Sequence, residues 1–84
     1  MGESGMNKSF PKPESRMRKI LDVISKLTPK TINGNVPLLE IIQEVGGSGE
    51  SVRTMVHQLR IRGLIENPSR GYYRLTEDTR KLLD

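Results

Sequence analysis

The sequence contains no cysteine and one histidine, His57, among its 84 residues. These absences exclude disulfides, thiolate zinc sites and a cysteine nucleophile, and they leave a transition metal without its usual ligands. Aromatic residues are equally scarce, since Phe10, Tyr72 and Tyr73 are the complete set. No apolar run approaches the roughly 20 residues that cross a bilayer, and the amino terminus lacks the apolar centre of a secretory signal. We therefore expect a soluble cytoplasmic protein that uses no cofactor.

The recurring motifs of catalysis are also missing. His57 has no identifiable triad partner, and the sequence contains no Gly-x-Ser-x-Gly elbow. The glycine-rich run at residues 46–49 matches a phosphate-binding loop in composition alone, because no Gly-Lys-Ser or Gly-Lys-Thr follows it. Since a nucleophile, a base and a pocket cannot be assigned together, the sequence argues against an enzyme.

The whole chain has a net charge of +4, and its positive charge is concentrated in one stretch. Residues 53–74 contain five arginines against one carboxylate, Glu66, whereas residues 36–50 contain three glutamates and no base. Such clustering is typical of a surface that meets phosphates. A solvated arginine surface would give the same pattern, so charge alone does not decide between them.

One domain is predicted over residues 14–84, behind a flexible tail of residues 1–13. The tail contains two glycines, two prolines and too little apolar surface to compensate for the entropy lost on ordering.

A first helix is predicted after the tail. Helical spacing predicts its buried face, formed by Met17, Ile20, Leu21, Ile24 and Leu27. The opposite, solvated side is predicted to carry Arg16, Arg18, Lys19, Asp22 and Lys26. Thr28-Pro29 ends the helix, because proline disfavours helical geometry in the residue before it.

Two further helices are predicted on either side of the glycine-rich run. The second begins near Val36-Pro37 and is apolar on most sides, through Leu38, Leu39, Ile41, Ile42 and Val45. Ser48 or Ser51 can cap the third helix, whose buried stripe contains Val52, Val56 and Leu59. At about 100° per residue, its opposite face is predicted to carry Glu50, Arg53, Thr54, His57, Gln58 and Ile61.

The last third of the chain predicts a β-hairpin and a closing helix. The strands are Leu64-Ile65-Glu66 and Tyr72-Tyr73-Arg74-Leu75, with residues 67–71 as the tip. Thr76 is a favourable cap for a final helix that has Leu82 and Leu83 on its apolar edge. The whole pattern predicts an α+β domain that is mainly helical with a small β-hairpin.

The predicted elements follow the order of a winged helix-turn-helix, which is helix, short strand, helix, glycine-containing turn, helix and hairpin. Two runs make the resemblance more specific: Leu59-x-x-x-Gly63-Leu64-Ile65 after the third helix, and Gly71-x-Tyr73-x-Leu75-Thr76-Glu77 after the hairpin tip. They resemble small prokaryotic and archaeal winged-helix regulators, among them the multiple-antibiotic-resistance and phenolic-acid repressors. The resemblance covers about residues 15–84. It implies a transcriptional regulator that binds double-stranded DNA in a sequence-specific manner.

This resemblance implies that the third helix enters the major groove and that the hairpin is the wing. Arg53 is then expected to contact guanine and Gln58 adenine, while Thr54 and His57 reach a base or a phosphate. Phosphate or minor-groove contacts are expected from the remaining candidates, namely Ser48, Ser51, Arg60, Ser69 and Arg70.

Each assignment has a simpler alternative. The serines can serve as helix caps alone, Arg53 and Arg60 as a solvated face, and His57 as an ordinary polar surface residue. Glu50 is discordant, because a carboxylate opposes phosphates unless it accepts from a cytosine amino group or forms a salt bridge.

A homodimer would place two recognition helices about 34 Å apart on a palindromic site. The first and last helices are the expected dimer contacts, through Met17, Leu21, Leu82 and Leu83. We expect no small-molecule effector, because so short a chain leaves little room for a pocket.

The rival function is a winged-helix protein-interaction module of a replication, transcription or sorting assembly. In Val36-Pro37-Leu38 and Arg70-Gly71-Tyr72 the sequence also resembles the carboxy-terminal domain of archaeal replicative helicases. That domain ends near the wing, whereas a further helix is predicted here after Leu75. The additional helix favours the regulator, although the same scaffold serves both uses.

Overall fold

The computed structural model describes residues 10–83, which form four α-helices and one three-stranded antiparallel sheet. The predicted α+β class is therefore confirmed. In chain order the elements are α1 (Arg16–Leu27), a 3-10 turn (Thr28–Lys30), β1 (Val36–Pro37), α2 (Leu38–Val45), α3 (Gly49–Ile61), β2 (Ile65–Ser69), β3 (Tyr72–Leu75) and α4 (Glu77–Leu83). Strand order in the sheet is β1–β3–β2. Across residues 10–83, no helix has both the length and the apolar content that a membrane crossing requires.

Helix α1 supplies the centre of the core. Ser15 caps its start by accepting a hydrogen bond from the Arg18 amide at 3.2 Å. Its buried side consists of Ile20, Leu21, Val23, Ile24 and Leu27. The expectation that Arg16 belongs to the opposite side is wrong. Arg16 precedes Ile20, Val23 and Leu27 on the same stripe, and its Nη2 donates to the Gly46 carbonyl at 3.1 Å, although the side chain stays exposed.

Helices α2 and α3 are joined by a short turn that only glycine suits. Gly46 and Gly47 have φ of 81° and 80°, in the left-handed region where a side chain would be strained. Helix α2 packs on both α1 and α3 through Ile41 and Val45. Leu39 was expected among the buried residues of α2, but it is 70% exposed. It lies about 100° around the helix from Leu38, outside the stripe that faces the neighbouring helices.

The first strand of the hairpin is longer and the tip shorter than predicted, while β3 has the predicted bounds. β2 runs on to Ser69, so only Arg70 and Gly71 form the turn. The Asn67 side chain explains the difference, because its Nδ2 donates to the Ser69 carbonyl at 2.6 Å and to the Tyr72 carbonyl at 2.7 Å. These bonds span the irregularity between Glu66 and Ser69, where Pro68 has no amide to donate.

Helix α4 closes the core through a threonine rather than through leucines. Thr79 has no exposed surface, and its hydroxyl shares a 2.8 Å hydrogen bond with that of Thr76. The Thr76 hydroxyl also lies 3.2 Å from the carbonyl oxygens of Gly63 and Leu64. Leu82, expected on an apolar edge, is 46% exposed, and Leu83 is only partly buried against the core.

The folded part begins earlier in the chain than predicted. Pro11 is buried and Phe10 packs against the core, while the Arg18 guanidinium lies 5.2 Å from the Phe10 ring centroid. The predicted tail of 13 residues is therefore too long at its carboxyl end. Residues 1–9 of that tail, and Asp84 at the end of the predicted domain, lie outside the described residues.

Candidate nucleic-acid interface

The candidate interface is built on α3. Ser48 caps this helix by accepting a hydrogen bond from the Ser51 amide at 3.3 Å, whereas the Ser51 side chain is exposed. Val52, Val56 and Leu59 are buried, as the sequence predicts. Because this stripe faces the core, the opposite side of the helix must face outward, and its rotation about the axis is fixed.

The predicted candidates on α3 are all exposed, and they form an ordered pattern. At about 100° per residue, Glu50, Thr54, His57 and Ile61 run along the middle of the outward face. Arg53 and Arg60 flank this row on one side, and Gln58 flanks it on the other. Thr54 is constrained, because its hydroxyl donates to the Glu50 carbonyl at 3.0 Å. Ile61 is 69% exposed at the carboxyl end of the row.

The arginines of the basic run differ in whether a carboxylate is near. Arg74 Nε lies 3.5 Å from Glu66 Oε2 across the two strands of the hairpin, so its charge is partly balanced. Among residues 10–83, no carboxylate forms an ion pair with the other four, which are Arg53, Arg60, Arg62 and Arg70. All four are exposed. The outward face of α3 and the hairpin therefore carry an uncompensated positive charge along this part of the chain.

The hairpin is held firmly at the carboxyl end of α3. The Leu64 amide donates to the Leu59 carbonyl at 3.1 Å, and Leu64 and Ile65 are both buried. The predicted tip candidates, Ser69 and Arg70, are exposed. Helix α3 also packs directly on β2, so the base of the hairpin is anchored to the helix.

Sequence reasoning missed two cations that the structure adds to this region. Arg62 follows the last residue of α3 and is exposed. It belongs to the basic run of the sequence, but its angle about the helix axis lies outside the face that was predicted to contact DNA. Arg16 lies 46 residues before Arg62 in the sequence (62 − 16), yet its guanidinium reaches the turn that precedes α3. The sequence did contain a signal for Arg16, because it is an arginine at a position where the helical spacing predicts an apolar residue.

A solvent-open cleft of about 400 Å³ lies between the segment before β1 and the hairpin. Its lining includes Lys30, Ile32, Pro37, Glu40 and Tyr72. Asn35 also lines it, and the buried Asn35 Oδ1 has no hydrogen-bond partner among residues 10–83. The cleft falls within the volume range of small-molecule pockets. The absence of an effector therefore stays a prediction.

No protein-family profile, no curated protein and no solved structure is significantly similar to this chain.

We predict that Asn67→Ala loosens the hairpin and lowers the free energy of unfolding by about 1 kcal/mol, because two backbone carbonyls lose their donor. Urea denaturation measures the loss, and amide exchange at Ser69 and Tyr72, which pair next to the tip, reports the local effect. Asn33→Ala is the control, since Asn33 is also exposed. Equal losses in the two variants, or unchanged exchange at the tip, would contradict the role of Asn67.

Proposed function

We propose that this chain is a winged helix-turn-helix domain that binds double-stranded DNA in a sequence-specific manner and regulates transcription. The element order α1–β1–α2–α3–β2–β3 supports this proposal, as does the β2–β3 hairpin that packs beside α3. In this proposal α3 is the recognition helix in the major groove. The hairpin is the wing, and it lies on the adjacent backbone or in the minor groove.

The observation that carries the proposal is the uncompensated charge on α3 and the hairpin. Arg53 and Arg60 lie on the outward face of α3, Arg62 follows it, and Arg70 is at the hairpin tip. Exposed arginines without carboxylate partners are available to phosphates and base edges.

The contacts of the described side chains suggest distinct roles. Arg53 and Gln58 read guanine and adenine, because each can form two parallel hydrogen bonds with its base. Thr54 has committed its hydroxyl proton to the Glu50 carbonyl, so it serves as an acceptor toward a base amino group or as a methyl contact to thymine. His57 contacts a base or a phosphate.

Phosphate contacts come from the edges of the interface. The Ser48 hydroxyl accepts from the Ser51 amide and keeps its own proton, which it can donate to a phosphate oxygen. Ser51, Arg60, Arg62, Ser69 and Arg70 provide the remaining backbone contacts, and Arg70 also suits a narrow minor groove.

A homodimer remains part of the proposal, with a changed set of contacts. Leu21 has no exposed surface and cannot contribute to a dimer interface. Met17 and Leu83 are partly buried against the core. Leu82 is 46% exposed, so the outer side of α4 is the apolar surface left for a partner copy.

One observation favours the rival function of a protein-interaction module. Ile32 is 99% exposed, Leu39 is 70% exposed and Tyr72 is 42% exposed, and Ile32 and Tyr72 line the same cleft. Exposed apolar residues that share a surface are typical of protein contacts. The DNA test below separates the two functions.

Fluorescence anisotropy with random-sequence duplex DNA at several salt concentrations tests the proposal. Phosphate contacts release counterions, so log affinity falls with log salt at a slope of about −0.9 per contact. Arg60, Arg62 and Arg70 alone would contribute about −2.7 to this slope. An absence of binding even at about 50 mM salt would reject the DNA function and favour the protein-interaction module.

We predict that Arg53→Ala weakens binding to the cognate site by about 1 to 3 kcal/mol more than binding to random DNA, because a base contact carries sequence information. The cognate site comes from selection of bound duplexes out of a random pool. Arg80→Ala removes an exposed arginine on α4 and is the charge-matched control. Equal losses on both DNAs would show that Arg53 contacts phosphate instead.

Glu50 gives a prediction of opposite sign. Its carboxylate lies in the middle of the outward face without an ion pair among residues 10–83, and in the proposal it accepts from a cytosine amino group. Glu50→Gln should therefore strengthen binding to random DNA and relax the preference at one C·G pair, as measured by selection with both proteins. Unchanged preference with stronger binding would reduce Glu50 to a source of repulsion.

A further inference from the structure

Arg16 is the one cation of α1 that the fold directs toward the start of α3. It lies on the stripe of α1 that otherwise packs into the core, four residues before Ile20. At this end of the stripe, α1 meets the turn between α2 and α3 instead of an apolar side chain. Arg16 Nη2 donates to the Gly46 carbonyl at 3.1 Å, across 30 residues of sequence.

The turn leaves space for this guanidinium because it has no side chains there. A Cβ at Gly47 would lie 2.9 Å from Arg16 Nη2, so the guanidinium would have to shift from this position. The positive φ of Gly47 already favours glycine, and the approach of Arg16 adds a second reason. The stem of Arg16 is thus held across the turn while the group itself remains exposed.

The guanidinium also retains most of its hydrogen-bonding capacity. Arginine has five N–H donors, and Arg16 makes one hydrogen bond within the described part of the chain. No carboxylate among residues 10–83 pairs with it, in contrast to Arg18, which lies 3.4 Å from Asp22. Arg16 is therefore an exposed charge beside the turn that precedes α3, and no carboxylate among residues 10–83 pairs with it.

We infer that Arg16 contacts a backbone phosphate of the duplex, on the strand that borders the groove occupied by the first turn of α3. The inference rests on the proposed function and adds α1 to the interface. Gly46 is two residues from Ser48, the cap of α3, so a duplex reached by that end of α3 also meets Arg16. A guanidinium binds a phosphate with two parallel hydrogen bonds, and one held in place beforehand loses less side-chain entropy on binding.

The alternative is that Arg16 only ties α1 to the turn. Arg16→Gln removes the charge, and its shorter side chain is expected to lose the bond to Gly46, so thermal unfolding measures the loss of the tie and the salt slope measures the loss of the charge. Lys19→Gln is the matched control, since Lys19 is exposed on the same helix and the same charge is removed. Circular dichroism and thermal unfolding report folding, and Arg16→Lys provides a variant that retains the charge if the glutamine variant does not fold.

The experiment is anisotropy with random-sequence duplex across a salt series for the wild type and the three variants. Arg16→Gln should reduce the magnitude of the salt slope by about 0.9, with similar weakening on random and selected DNA. Lys19→Gln should leave the slope unchanged, and Arg16→Lys should keep most of it.

Two outcomes overturn the inference, and they are distinguishable. A wild type that binds duplex while Arg16→Gln keeps the full slope, or loses no more than Lys19→Gln, removes Arg16 from the interface and leaves the proposed function standing. If Arg16→Gln does not fold, Arg16→Met removes the charge while keeping an unbranched stem, and a full salt slope for that variant has the same meaning. A wild type that binds no duplex rejects the proposed function and the Arg16 contact together.

Discussion

The burial of one stripe of α3 determines what the molecule offers to a partner. Val52, Val56 and Leu59 are at most 1% exposed, and each contributes about 1.5 to 3 kcal/mol by leaving water. A rotation of α3 about its axis would expose these residues, so the helix has one orientation. The row of Glu50, Thr54, His57 and Ile61 faces outward as a consequence of packing on the other side. The chemistry of the candidate interface is therefore set by the core.

This constraint explains which features could be predicted from the sequence. The buried and exposed faces of α3 follow from spacing alone, and the structure places every candidate of α3 on the outward side. The hairpin bounds depend on Asn67, whose bonds to Ser69 and Tyr72 bring together parts of the chain that spacing does not connect. Thr79 is buried because Thr76 is its partner, and a polar residue gives no apolar periodicity to detect. The bounds of the hairpin and the burial of Thr79 were missed because each depends on a side-chain hydrogen bond, which the spacing of apolar residues does not reveal.

The clustering of positive charge along the chain was predicted, but the pairing of charges in space was not. The basic run contains five arginines, yet only register reveals that Glu66 and Arg74 face each other on β2 and β3. The pair moves the uncompensated charge away from the middle of the hairpin and toward α3 and the tip. Arg16 shows the converse case, because an arginine from the opposite end of the chain enters this region through tertiary packing. Net charge and clustering are thus visible in the sequence, while the fold decides which of the charges lie together and which are paired.

Both ends of α3 are held, and this bears on how it could enter a groove. Arg16 bonds to the turn before the helix. Past its other end, the Leu64 amide bonds back to Leu59 and the Thr76 hydroxyl lies against the Gly63 and Leu64 carbonyls. The hairpin begins at Ile65, directly after this segment, so its base is anchored to the end of α3. In the proposed complex, groups that the fold already orders would lose less entropy on binding than free loops or side chains.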